Sequence, residues 1–200
     1  MLELRKTPLH EFNVANGARM VDFAGWSMPV QYQSIIDEHK ATRFSAGLFD
    51  VSHMGEASIE GPGAAAFLDS VLTNDVSSVA IGQAMYSLMC YEHGGVVDDL
   101  LVYRIAEEEF LLCLNASNTE KDVAWLNANK GSLDVDISDV SDSFSLLALQ
   151  GRESMEILKI LTTMSPEDLG YYRFQRSDVA GVSCLVCRTG YTGCLLYTSP

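Results

Sequence analysis

The stretch His93-Gly94-Gly95-Val96-Val97-Asp98-Asp99-Leu100-Leu101-Val102-Tyr103 constrains this chain most, because it sets two carboxylates at the mouth of a strongly apolar strand. Extended, apolar runs at residues 84–90 and 109–115 flank an apolar run at 99–105. The diglycine turn separates the first pair of runs, and Ala106-Glu107-Glu108-Glu109 makes an acidic, solvated hairpin tip between the second. Connections this short favour antiparallel pairing. Successive strand residues point to opposite faces, so Asp98 and Asp99 go one to each face and one of them turns inward. A carboxylate held against an apolar wall is costly unless it is used, and desolvation raises its pKa toward values suited to moving a proton.

Further runs at 145–150, 173–179 and 182–188 read as strands, the last two joined by a tight turn at Ala180-Gly181. Helical spacing appears over 34–45, from Gly61-Pro62 to Asn74, from Asn118-Thr119-Glu120 through Val123, Trp125 and Leu126, and over 152–161. The fold class expected is α+β, with mostly antiparallel sheets and helices.

Composition narrows the function. The 200 residues are 48% hydrophobic and 20% charged, with no apolar run near the length of a membrane-spanning helix. The first twelve residues lack both a secretory apolar region and an acid-poor transit pattern, so a cytoplasmic, bacterial-type location with no membrane partner is expected. With 27 acidic against 13 basic residues and a net charge of −14, the chain would repel a phosphate backbone, and no nucleic acid is expected. The five cysteines are odd in number and scattered; Cys184 and Cys187, three apart on a strand, point to opposite faces and read as buried thiols. His10, His39, His53 and His93 are too dispersed to nominate a metal site, and no metal is expected. Phosphate-loop, serine-hydrolase and zincin motifs are missing.

Other stretches of interest are Phe49-Asp50-Val51-Ser52-His53-Met54-Gly55, with an Asx or Ser cap before a strand, and Arg188-Thr189-Gly190-Tyr191-Thr192-Gly193, which exposes a ring on a short loop. Joined to Arg5-Lys6-Thr7-Pro8-Leu9, to the run Met20 through Gly25-Trp26-Ser27-Met28-Pro29 to Tyr32, to Gly94 through Leu100, and to Ala148-Leu149-Gln150-Gly151, they form six blocks over Arg5 to Gly193. In that order the blocks resemble the T-proteins of the glycine cleavage system, the folate-dependent aminomethyltransferases.

The resemblance implies a T-protein folate-binding fold of two interleaved domains, 1–50 with 139–193 and an inserted 51–138, with the C-terminal β-rich domain absent. It implies transfer of an aminomethyl group from the lipoyl arm of the H-protein to tetrahydrofolate, with release of ammonia. Asp99 is then the catalytic residue, and Met54, Tyr86, Asp99, Asn115, Tyr171 and Tyr191 line the folate pocket. Related alternatives are a folate-dependent demethylase, a non-catalytic folate-binding module, or an inactive fragment. After Gly193 the chain departs from the family's acidic run, and residues 194–200 read as a foreign tail on a truncated or mis-joined frame. Such a chain is expected to be marginally stable and prone to aggregate, with sheet edges and apolar surface uncovered.

Overall fold

The computed structural model describes residues 3–190. In chain order the elements open with β1 (Arg5–Lys6), α1 (His10–Ala15), β2 (Arg19–Phe23), β3 (Trp26–Gln31), α2 (Ile35–Phe44) and β4 (Gly47–Asp50). Next come β5 (Gly55–Glu60), α3 (Ala64–Val71), β6 (Ala84–Cys90), β7 (Val96–Ala106), β8 (Glu109–Leu114), α4 (Thr119–Asn129) and β9 (Asp136–Asp139). Last are β10 (Leu147–Gln150), α5 (Ser154–Leu161), β11 (Phe174–Val179) and β12 (Val182–Cys187). The class is α+β, and apart from β1 beside β3 the strand registers that define the larger sheets are antiparallel.

Two compact units share the chain. The first comprises Met1–His53, Ser145–Tyr171 and Gln175–Pro200; the second comprises Met54–Phe144 and Tyr172–Phe174.

In the first unit, β1, β3 and β2 form one small sheet, β10 pairs with β4, and β11 pairs with β12. Asp50, at the end of β4, ties the N-terminal segment down: its Oδ2 accepts from Thr7 Oγ1 at 2.6 Å and Asn13 Nδ2 at 3.1 Å, while Asn13 Oδ1 accepts from Tyr32 Oη at 2.9 Å. Burial pushes the Asp50 carboxyl up, but donors from Thr7, Ser52 and Asn13 outweigh it and hold the group below the ordinary carboxylate range. Helix α2 starts where Ser34 caps it, accepting from Asp37 N–H, and Glu38 reaches back to accept from the N–H groups of Tyr32, Gln33 and Ser34. Ala180 and Gly181 both have positive φ, the backbone of a tight hairpin turn between β11 and β12. Cys184 and Cys187 form no disulfide, and burial pushes the Cys187 thiol up to about 12, which leaves it inert at neutral pH.

The second unit is built on a five-stranded sheet in the order β6-β7-β8-β5-β9. Its inner face follows from alternation: Ala57 and Ile59 of β5, Met89 of β6, Leu100 and Val102 of β7, and Phe110, Leu112 and Leu114 of β8 are all buried. Helix α3 covers this face with Ala64, Phe67, Leu68 and Val71, and α4 adds Leu126. Val123 and Trp125, which share the apolar spacing of this helix, are only partly buried against this core. The position that shares α4's fully buried face with Leu126, one helical turn before it, is Asp122. The stretch Tyr172–Phe174 joins the start of β6, where Ala84 N–H donates to Tyr172 O at 2.8 Å and Phe174 meets Tyr103 edge-on.

Candidate functional site

The geometry begins at the diglycine turn. Gly94 N–H donates to Tyr91 O at 2.9 Å and Tyr91 N–H to Gly95 O at 2.8 Å, with Gly94 at a φ of +85°, a conformation that favours glycine. Where β7 leaves the turn its register against β6 slips: Met89 faces Asp98, but Cys90 faces Val96, so Val97 is an extra residue. A bulge of this kind re-aims side chains. Here two consecutive residues, Val97 and Asp98, both end up buried, with Asp98 only 7% exposed.

The inward carboxylate is therefore Asp98. Asp99, which the resemblance names as the catalytic residue, belongs to the opposite face, across from Leu88 and one register step from Tyr86, which faces Leu101. Tyr86 is 47% exposed, and its hydroxyl donates to Asp99 Oδ2 at 3.1 Å.

Asn115 spans the two carboxylates. It follows the last residue of β8, and its Nδ2 lies 3.0 Å from Asp98 Oδ1, 3.0 Å from Asp99 O and 3.1 Å from Asp99 Oδ1. Its backbone is fixed by the entry to α4, since Asn115 O accepts from Asn118 N–H at 2.9 Å and from Thr119 Oγ1 at 3.3 Å. A strand end and a helix start thus clamp one amide. Burial pushes Asp98 up, but donors from Asp122, Asn115 and Asn118 and the Asp99 N–H outweigh it, and the carboxyl is held below its ordinary range.

Of the other residues expected in the pocket, Met54 immediately precedes β5, whose Gly55 pairs with Leu114, the residue before Asn115. Tyr171 belongs to the first unit and is 62% exposed. Tyr191, and the tail at 194–200, lie outside the described residues.

Sequence reasoning passed over two buried acids of the second unit. Asp122 had a signal, because its spacing of four from Leu126 places it on the buried stripe of α4. Glu56 had none: alternation with Ala57 and Ile59 sends it to the other face of β5, yet it is 5% exposed. The segment after β9 explains this, with Val140 N–H donating to Glu56 O and Ser141 Oγ accepting from Glu56 N–H at 2.9 Å. Burial, then the charge of Asp139, pushes Glu56 up to about 7.

This arrangement has relatives. The chain is 52% identical over 193 residues to an aminomethyltransferase of Desulfitobacterium hafniense, covering 96% of this chain and 53% of that protein. It is 53% identical to an aminomethyltransferase of Moorella thermoacetica, with the same coverage. The chain spans about half the length of these curated relatives. Among solved structures it resembles the glycine cleavage system aminomethyltransferase T of Bartonella henselae, with a TM-score of 0.81 and 36% identity over 86% of this chain and 47% of that one. A subunit of the heterotetrameric sarcosine oxidase of Corynebacterium sp. U-96 shares the fold alone, with a TM-score of 0.61 at 20% identity over 94% of this chain and 83% of that one. The GCVT N-terminal domain matches residues 9–197, nearly the whole sequence, and the chain belongs to that family.

Proposed function

We propose that this chain supplies the tetrahydrofolate-facing carboxylate of an aminomethyltransferase of the glycine cleavage system. The observation that carries the reading is the triad Tyr86, Asp99 and Asn115. Two neutral donors, the Tyr86 hydroxyl and the Asn115 amide, each take one lone pair of Asp99 and fix the plane of its carboxylate. One further lone pair on each oxygen remains to accept from a ligand N–H. A half-exposed tyrosine ring beside that carboxylate offers a face to a planar heterocycle.

The reaction joins one carbon to two folate nitrogens. The aminomethyl carbon leaves the lipoyl sulfur of the H-protein and its own ammonia, and bridges two nitrogens of tetrahydrofolate to give 5,10-methylenetetrahydrofolate. The two protons shed by those nitrogens end on ammonia and on the dihydrolipoyl thiol. Asp99 orients one folate N–H and accepts its proton as the carbon–sulfur bond opens, a positioning and general-base role. By the family likeness Met54 belongs to the same pocket, and the scheme uses no metal.

Isothermal titration of tetrahydrofolate into the chain, and into Asp99→Asn and Tyr86→Ala, tests this. Saturable heat that weakens in both variants is the expected result. A folded chain that takes up no tetrahydrofolate, or variants that bind as the parent does, would overturn it.

A further inference from the structure

Behind Asp98, on the inner face of the sheet, lies a second carboxyl. Asp122 is completely buried, and among the described residues neither of its oxygens has a donor in hydrogen-bond geometry; Asp98 Oδ2 lacks one too. The two groups are within hydrogen-bonding reach of each other. Facing them are Lys121 from α4, Asn118 from the start of that helix, Asn115 from the end of β8, and Asp99 through its backbone N–H. Lys121 is the cation at the pair, with Nζ 3.4 Å from Asp122 Oδ1, and it also donates to Val97 O at 2.6 Å.

One cation beside two buried carboxylates leaves a charge uncompensated and three oxygen atoms without donors. Adjacent like charges in a desolvated site do not both ionise. A single shared proton removes the surplus charge and accounts for two of those three atoms, bonded to one and donated to another.

We infer that Asp122 carries this proton and is a positioning residue: it donates to Asp98, which stays in place to accept from Asn115, whose amide holds Asp99 on the opposite face. The positioning role rests on the reading of Asp99 and Tyr86 as the tetrahydrofolate-facing pair; the proton does not. Burial, then the hydrogen bond to Asp98 and the charge of Asp98, pushes Asp122 up to about 7, with Lys121 opposing. Above that pH the pair carries two charges and its hydrogen bond is lost, so the hold on Asn115 loosens.

The full chain, labelled with carbon-13 at aspartate carboxyls, tests the proton directly. A resonance that titrates near pH 7 and vanishes in Asp122→Asn is expected; an Asp122 resonance titrating in the ordinary carboxylate range overturns the inference. Calorimetric titration with tetrahydrofolate tests the positioning. Asp122→Asn, whose amide still donates to Asp98, keeps affinity within about twofold, while Asp122→Ala weakens it roughly tenfold, the loss of one buried hydrogen bond.

The pH profile separates positioning from bulk structure. In a Glu56→Gln background, affinity falls as pH rises through 7 when Asp122 is present and stays level in Asp122→Asn. A level profile in both overturns the positioning role even where Asp122→Ala fails to fold. Should Asp99→Asn and Tyr86→Ala bind normally, the ligand reading falls and takes the positioning role with it, while the carboxyl titration still decides the proton.

Discussion

The Tyr86 hydroxyl lies 3.1 Å from Asp99 Oδ2, joining neighbouring strands one register step apart on the face of the sheet opposite the core. Because the ring is half exposed, its worth to the fold is small and its worth to a ligand is larger. Tyr86→Phe keeps the ring and removes this donor. Stability should change by less than about 0.5 kcal/mol in urea unfolding, while tetrahydrofolate affinity falls by about 1 kcal/mol, read by calorimetry. Equal losses in both would place Tyr86 among purely structural residues.

Asn115 serves both faces at once, so its loss reaches the buried one. Asn115→Ala strips Asp98 Oδ1 of its amide donor at a buried site, and a cost of about 1–3 kcal/mol in unfolding free energy is expected. Asn115→Asp should cost more, since it adds a carboxylate to a site that already holds Asp98, Asp99 and Asp122. Urea denaturation at pH 7.5 compares the two.

Glu56 sets a pH dependence of known sign. Its folded-state pKa, about 7, lies above the ordinary value of 4.5, so the folded chain holds a proton that the unfolded chain has released. The stability from this group is complete below pH 4.5 and is lost as pH rises through 7. Glu56→Gln should therefore be less pH-sensitive across that window and more stable than the parent at pH 8, by up to a few kcal/mol. Thermal melts at pH 5 and pH 8 check it. A variant destabilised equally at both would mean that Glu56 is ionised throughout.

Gly55 lets α4 approach β5. A Cβ at this position would meet the Oγ1, Cγ2 and Cβ atoms of Thr119, the first residue of α4, and a β-branched side chain there has little freedom to move. Gly55→Ala is expected to destabilise by about 1–3 kcal/mol. Thr119→Gly in the same chain should recover part of that loss, giving a positive coupling in a double-mutant cycle. Additive losses would rule out the contact as the cause.

Much of the second unit was legible because its signals are local. Strand β6 matches its apolar run end to end, β7 and β8 lie within a few residues of theirs, and Glu107-Glu108 forms the connection inside the expected Ala106–Glu109 tip. Helices α2, α3 and α5 sit inside the spans their spacing marked, each somewhat shorter than expected, and α4 begins where expected and runs on to Asn129. The elements that escaped are β1, α1, β2, β3, β4 and β9, several of which carry polar side chains along a mostly uncovered face and so show no apolar period.

The sequence by itself determined that two adjacent aspartates leave a diglycine turn toward opposite faces of an antiparallel sheet, because side-chain alternation is a property of any extended backbone. It also carried the likeness of six blocks to a family, which no single stretch would have shown. Only the tertiary structure decided which aspartate turns inward. Asp98 shares a face of β7 with Leu100 and Val102, and that face becomes the inner one only because α3 and α4 pack against it. The landing of α4 then brings Asp122 against Asp98, and a carboxyl's protonation depends on what lies within a few ångströms of it in space. Nothing in the order of residues along the chain measures that distance.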